Sequence, residues 1–400
     1  MNKASYLVGP ETVRMLELGH PWIIADSYTR KWPKGRAGEV VALVDAQGAR
    51  VAMALLDPAE RIVARVLDCG PEGISRAWLA QKLSRAQSLR DRHADLGETT
   101  AYRLVNGEGD GLPGLTIDRY GAHLMIQLYT QAWKPYLDQI VTELQQLLKP
   151  LGIYEKFRPQ QTRTLGAEQP DKKFSRLLRG EAARGKIAVQ ENGLNFLVDL
   201  EAGLNTGLFL DQRRSRRDLM QRVAGRRVLN LFAFTGAFSV AAAAAGAELV
   251  CSVDASAPYL DWARENFEAN RLNPRRHEFI TGDCFAVLED LQRQRRQFDL
   301  VLMDPPSFST TGKSRFTTRG GTSDLVALAL ALLPVGGLVI TSSNHQKVEL
   351  AEYLKELRRG ALQAGCNLSV LQTLGQPEDF PFSVTWPEGR YLKYVIGAKS

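Results

Sequence analysis

The sequence predicts an α/β chain: a mostly parallel, seven-stranded sheet covered by helices, preceded by a β-rich N-terminal domain and a small α/β central domain. Three observations predict it. From about residue 188 onward, short apolar runs alternate with helical stretches, as buried parallel strands alternate with crossover helices. Before residue 70 the apolar runs are separated by turn residues instead. The 400 residues exceed what a single core usually fills, so several domains are expected.

In chain order, Glu39–Asp45 and Ala49–Leu56 read as strands joined at Gln47-Gly48, and Arg61–Leu67 alternates more weakly. A helix is expected from Ser75 to about Leu96, with Leu79, Leu83, Ala86 and Leu89 on one stripe. A turn-rich segment, Asn106–Gly114, precedes a strand at Leu124–Tyr129 and a helix at Tyr136–Leu148. The parallel sheet is then built from Arg227–Phe232, Leu249–Val253, Glu278–Thr281, Asp299–Met303 and Gly337–Thr341. Helices are expected at Phe238–Ala245, Ala257–Asn270 and Ser323–Leu333, and final strands at Leu368–Leu374 and Tyr391–Gly397. The expected domains are 1–72, 73–187 and 188–400.

Composition narrows the function. No run approaches the roughly 18 apolar residues of a membrane helix, and the first residues lack the apolar core of a secretory signal. Cys69, Cys251, Cys284 and Cys366 form no CxxC pair, so no metal site and reduced thiols are expected, in a cytoplasmic protein. Of the net charge of +7, an excess of +6 falls between Lys156 and Lys186. Clustered positive charge binds phosphate backbones through counterion release; a solvated loop is the plainer reading. Arg30, Lys31 and Arg36 surround Trp32, a mixture that suits phosphate and base contacts. A surface loop with a partly buried Trp32 accounts for it equally well.

Ligands of an open parallel sheet sit beyond the C-terminal strand ends, and the informative residues cluster there. Phe232-Ala-Phe-Thr235-Gly236 forms a strand-to-helix turn without GxGxxG, which argues against a dinucleotide pyrophosphate. Asp254 stands at the next strand end, 18 residues after Gly236, where an acid can accept from a ribose diol. Asp283 follows the third strand, near the position of an adenine amine, and Asp304-Pro305-Pro306-Ser307-Phe308 follows the fourth. Each Asp alone could be a helix cap; three at successive ends indicate S-adenosyl-L-methionine (SAM). The prolines remove two amide donors and fix carbonyl acceptors, and Phe308 can stack on a base.

With these motifs in place, the chain resembles the bacterial PUA-domain, class I SAM-dependent large-subunit rRNA methyltransferases throughout its length. His20-Pro-Trp22, Tyr102–Arg119, Asn205–Arg213, Asn230–Gly236, Asp254, Asp283, Asp304–Pro306, Arg319-Gly320 and Trp386–Lys393 carry the resemblance. It implies a PUA domain and a central domain that bind RNA, followed by a Rossmann-like domain that binds SAM. Asn205, Thr206, Phe209, Asp211, Gln212 and Arg213 would fold over the cofactor. Phe232, Thr235 and Gly236 would form its turn, Asp254 with Ala255 and Ser256 would hold the ribose, and Asp283 with Cys284 and Phe285 would flank the adenine. Arg30, Lys31, Arg36, Lys172, Lys173, Arg176 and Arg319 are the candidate RNA-contacting cations, with ribosomal RNA as partner and a homodimer left open.

One departure bears on the chemistry. Cytosine-C5 members carry a cysteine just after the fifth strand, because C5 attacks only after a thiolate adds to C6. This chain has Thr341-Ser-Ser-Asn344-His345, with Asn344 at that place. The catalytic candidates are therefore Asp304, Pro305, Pro306, Phe308 and Asn344, acting on a base nitrogen, with guanine suggested by a Ser-Asn-Asn element in a related guanine-N7 domain. Two alternatives are a C5 enzyme with another nucleophile and an inactive RNA-binding assembly factor. A nicotinamide dehydrogenase lacks its glycine fingerprint.

Overall fold

The computed structural model describes residues 6–156, 174–306, 309–311, 314–316 and 321–400. Lys172, Lys173, Phe308 and Arg319 lie outside these residues. The chain forms two compact units, 1–185 with 200–204 and 378–389, and 186–199 with 205–377 and 390–400.

The first unit holds two five-stranded sheets. Its N-terminal sheet runs Tyr6–Leu7, Val40–Val44, Arg50–Leu56, Ile62–Leu67, Trp22–Ile24 in spatial order. It closes on Ile23, Leu43, Ala54, Leu56 and Ala64. The second sheet runs Ser175–Gly180, Gly152–Lys156, His123–Leu128, Leu115–Tyr120, Ala101–Asn106. Helices Arg76–His93 and Leu137–Leu148 bury Leu79, Leu83, Ile140 and Leu144 against it. Ser75 starts the first of these helices by accepting from the Trp78 amide at 3.2 Å.

Residues 200–204 and 378–389, which fall within the expected 188–400 range, cluster with the first unit. Phe380 and Trp386 are buried there, and Arg103 lies 4.5 Å over the Phe380 ring. The buried Arg90 guanidinium grips Asp110 with both nitrogens and donates to the Asp379 carbonyl at 2.7 Å. Asn106 donates to the Pro381 carbonyl at 2.8 Å. A side chain at Gly109 would collide with that same carbonyl. The turn-rich Asn106–Gly114 segment is thus a folded latch for a distant stretch of chain.

The second unit contains the expected sheet: β1 (Arg227–Leu231), β2 (Leu249–Asp254), β3 (Glu278–Thr281), β4 (Leu300–Met303), β5 (Leu338–Ser343), β6 (Leu368–Leu374) and β7 (Lys393–Lys399). Their spatial order is β3-β2-β1-β4-β5-β7-β6, with β7 antiparallel to both neighbours and β1–β5 parallel. Successive side chains alternate between faces. Leu229, Leu231, Val253, Val301 and Val339 pack under helices Cys284–Arg293, Gly321–Ala331 and Leu350–Gln363. Val228, Leu300, Leu302 and Ile340 face Leu219, Phe238 and Ala242. Burial on both faces explains why these strands read as continuous apolar runs. Two hairpins, Ile187–Glu191 with Leu194–Val198 and Ser309–Thr311 with Ser314–Phe316, also belong to the unit. Among the described residues no helix is long and apolar enough to cross a membrane.

Candidate functional site

The sheet order lines up the C-terminal strand ends in space. Across that edge come Asp283 after β3, Asp254 closing β2, the Phe232–Gly236 turn after β1, Asp304 after β4 and Asn344 after β5. A cavity of about 330 Å³ opens there, and all of these elements line it.

Asp254 organises the turn. Its Oδ2 accepts the Phe234 amide at 2.8 Å and its Oδ1 the Ser256 amide at 2.9 Å. Each carboxylate oxygen can accept more than one bond, so capacity toward the cavity remains. Burial pushes the Asp254 pKa up, and the amides of Ser256, Phe234 and Ala255 oppose the rise. Phe232 and Phe234 adopt φ of 57° and 50°, a left-handed region that bulky residues rarely enter. The bond to Asp254 and the aromatic packing hold them: Phe234 meets Tyr259 edge-on at 4.5 Å and Phe209 at 5.3 Å. Gly236, with φ 76°, starts the next helix, and a Cβ there would lie 2.6 Å from that of Ala263.

The 205–213 loop is tied to this turn from beneath. Thr235 donates to the Gly207 carbonyl at 2.5 Å, and Asn266 donates to the Thr235 carbonyl at 2.8 Å. Arg216 is fully buried, binds both oxygens of buried Glu191 at 2.6 and 2.7 Å, and donates to the Phe209 carbonyl at 2.7 Å. Tyr391 donates to Asp211 at 2.8 Å. Asp283 caps helix Cys284–Arg293, accepting from Phe285 and Ala286 amides at 3.1 and 3.2 Å, so the plain capping role coexists with a place on the cavity wall.

Asp304 receives Gln212 Nε2 at 3.1 Å and the Ser342 hydroxyl. Burial pushes its carboxyl up to about 6 despite these donors, and Asp211 adds to the rise. The segment after β5 is fixed from below. Tyr353 donates to the Ser342 carbonyl at 3.1 Å, and Lys393 to the His345 carbonyl at 2.6 Å.

Of the residues expected around a cofactor, Asn205, Phe209, Asp211, Gln212, Phe232, Asp254, Ala255, Asp283, Cys284 and Phe285 line the cavity. Asp304, Pro305, Pro306 and Asn344 join them. Thr206, Arg213, Thr235, Gly236 and Ser256 are not on its wall. Thr206 accepts the Asp199 amide through its carbonyl, Arg213 is buried, and Thr235, Gly236 and Ser256 shape the turn around Asp254. The sequence reading did not assign Gly207, Arg216, Ala233, Phe234, Ala237, Phe238, Tyr259 and Gly282 to the wall. Gly207 and Phe234 lie within segments the sequence singles out, 205–213 and 232–236; Gly207 has φ 101°, and a Cβ there would lie 2.5 Å from the Trp262 ring.

Of the candidate RNA-contacting cations, Arg30, Lys31, Arg36 and Arg176 lie among the described residues, all of them in the first unit. Arg30, Lys31 and Arg36 are exposed. Trp32 is partly buried, with its indole N–H on the Leu7 carbonyl at 2.7 Å and its ring edge-on to Tyr6. Arg176 pairs with buried Glu155 at 2.9 Å, and Lys156 is buried at a strand end, so that lysine leaves the surface charge cluster.

Residues 102–387 match the S-adenosylmethionine-dependent methyltransferase family, and residues 7–68 match a PUA-like domain. The chain is 36% identical over 94% of each chain to ribosomal RNA large subunit methyltransferase I of Shigella flexneri. It is 35% identical, at the same coverage, to that of Escherichia coli O139:H28. A crystal structure of a methyltransferase complexed with SAH superposes with a TM-score of 0.89 at 29% identity, covering 100% of both chains. A SAM-dependent methyltransferase from Streptococcus mutans gives 0.86 at 28%, again over 100% of both.

Proposed function

The chain belongs to the S-adenosylmethionine-dependent methyltransferase family, and from that premise we propose that it methylates a base nitrogen of large-subunit ribosomal RNA without forming a covalent enzyme–RNA bond. The PUA-like domain and the names of the curated relatives support ribosomal RNA as substrate. The donor set fits SAM. Asp254 keeps acceptor capacity toward the cavity for ribose hydroxyls, and Asp283 and Phe285 stand one strand further out for the adenine. SAM, when bound, supplies a methyl group on a positively charged sulfur.

The observation that carries the nitrogen reading is Asn344 on the cavity wall beside Asp304, Pro305 and Pro306. An amide cannot serve as the thiolate that a C5 reaction needs. Cys284 also lines the cavity, but on the adenine side, and burial pushes its thiol up to about 12. Cys251 is buried inside β2 with its thiol likewise pushed up to about 12. A base nitrogen can attack the methyl group directly, passing any proton it carries to an adjacent carboxylate as the methyl–sulfur bond breaks, so the protein needs alignment and a proton acceptor rather than a covalent nucleophile. Asp304, Asn344 and the Pro305-Pro306 backbone are the groups we assign to that alignment.

Two measurements test this reading. Ribosomal RNA from a strain lacking the protein should lose one N-methylated nucleoside by mass spectrometry and regain it on complementation. RNA containing 5-fluorocytidine should give no gel-resistant adduct, and Cys284→Ala should keep most of the activity. A 5-methylcytidine product, or an adduct abolished by Cys284→Ala, would restore the C5 reading.

The role of Asp304 sets a pH dependence. Its ionised form is the acceptor, and burial pushes its carboxyl up to about 6. Activity should therefore be present above that value and fall as pH drops through it. Asp304→Asn should abolish this limb of the kcat/KM profile. An unchanged acidic limb in that variant would take Asp304 out of the substrate interaction.

A further inference from the structure

Gln212 has one amide atom satisfied twice and the other not at all. Its Nε2 donates to Asp304 Oδ2 at 3.1 Å and to Ser342 Oγ at 2.7 Å. Its Oε1 is buried and has no partner, although the residue lines the cavity and is only 3% exposed. The amide cannot be turned over to relieve this. A flip would set Oε1 against the Asp304 carboxylate oxygen that Nε2 now reaches at 3.1 Å, and the Ser342 hydroxyl pairs with that same carboxylate. A buried acceptor without a partner costs about 1–3 kcal/mol. Such a group is expected to meet a donor on a ligand.

Position in the sheet decides which ligand. The cofactor's ribose and adenine are assigned to β2 and β3. Gln212 bridges residues at the ends of β4 and β5, on the opposite side of β1. That is the end of the cavity where Asn344 and the Asp304 segment stand. We propose that Gln212 Oε1 accepts an N–H from the target base and, together with Asp304, forms an acceptor pair that selects the Watson–Crick edge of guanine.

The chemistry of the bases favours guanine. Its N1–H and N2 amine are adjacent donors that match a carboxylate and an amide oxygen. Its O6 is an acceptor suited to the Asn344 side-chain amide. Adenine and cytosine each place a ring-nitrogen lone pair beside their single amine, and that lone pair would face one of the two acceptor oxygens. A site built to pair with a substrate N–H rejects analogues lacking it, because the buried acceptor is then left empty. Gln212 thus becomes a specificity residue for the base rather than part of the cofactor cover.

This inference rests on the nitrogen-methylation reading, and the two fail differently. Gln212→Met preserves length and removes the acceptor. It should lower kcat/KM for large-subunit rRNA about tenfold or more and leave the SAM Kd by calorimetry within about twofold of wild type. The product, read by nucleoside mass spectrometry, should be a methylguanosine. With wild-type enzyme, an RNA oligonucleotide carrying inosine at the modified position lacks the N2 amine and should react about tenfold more slowly than its guanosine counterpart. This second arm does not depend on the variant folding. A weakened SAM Kd with unchanged rRNA kinetics would place Oε1 in the cofactor site and overturn the proposal. Equal rates for inosine and guanosine, or an N-methyladenosine product, would overturn it while leaving nitrogen methylation intact. A 5-methylcytidine product would overturn both.

Discussion

Arg216→Ala should destabilise the methyltransferase unit by about 3–5 kcal/mol, the cost of leaving a buried charge without its partner. Glu191 is 1% exposed and both its oxygens bind Arg216, so the variant strands a carboxylate inside the hairpin packing. The same substitution removes the donor to the Phe209 carbonyl, which anchors the loop on the cavity wall. Stability and cofactor affinity should therefore fall together. In a unit of this size the melting temperature should drop by roughly 6–20 °C. Replacing both partners, Glu191→Met with Arg216→Met, should recover part of that loss, because no uncompensated charge then remains. A single-variant drop below about 1 kcal/mol would mean that water reaches Glu191 and the pair is not structurally decisive.

That pair illustrates what the sequence conceals. The parallel strands were legible because burial on both faces forces continuous apolar runs, as in Leu300–Met303 and Leu338–Ile340. The strand-end acids were legible because sheet topology places ligands at those ends. Glu191, Arg216 and Lys156 are charged, and nothing local marks a charge as buried. The Ile187–Glu191 and Leu194–Val198 hairpin was overlooked although Asn192-Gly193, both at positive φ, is a strong two-residue turn signal.

Long-range docking was equally hidden. Phe380 and Trp386 look like core residues of the domain around them in sequence, yet they are buried with the first unit. Arg103, which lies over the Phe380 ring, and Trp22, which packs on Trp386, are nearly three hundred residues or more away, and neighbouring Asp379 binds Arg90 and Arg103 across a similar span. The left-handed Phe232 and Phe234 contradict local preference, so they could be found only through the contacts that enforce them. Gln212 was picked out by resemblance as a cofactor residue. Its orphaned oxygen, which carries a different assignment, is visible only in three dimensions.

Asp254→Ala should weaken SAM binding by on the order of 1–3 kcal/mol, a loss of roughly 5- to 150-fold in Kd, because ribose hydroxyls lose a charged acceptor. The sequence suggests a surface acid whose removal spares the fold. The structure adds a second consequence. Asp254 also holds the Phe234 and Ser256 amides, so the variant releases the backbone that keeps Phe234 left-handed against Phe209 and Tyr259. The measured loss should therefore exceed that of a variant touching the ligand alone. Asp254→Asn separates the two effects: its remaining carbonyl oxygen can serve one backbone amide, while its NH2 faces the other. It should fall between wild type and alanine in both melting temperature and SAM affinity. Acidification should act in the same direction on the wild-type protein, since burial raises the Asp254 pKa and protonation removes the charged acceptor. Titration calorimetry with SAM across mildly acidic pH measures this directly. A folded Asp254→Ala protein that binds SAM as wild type does would remove Asp254 from the ribose site and leave it only the role of shaping the turn.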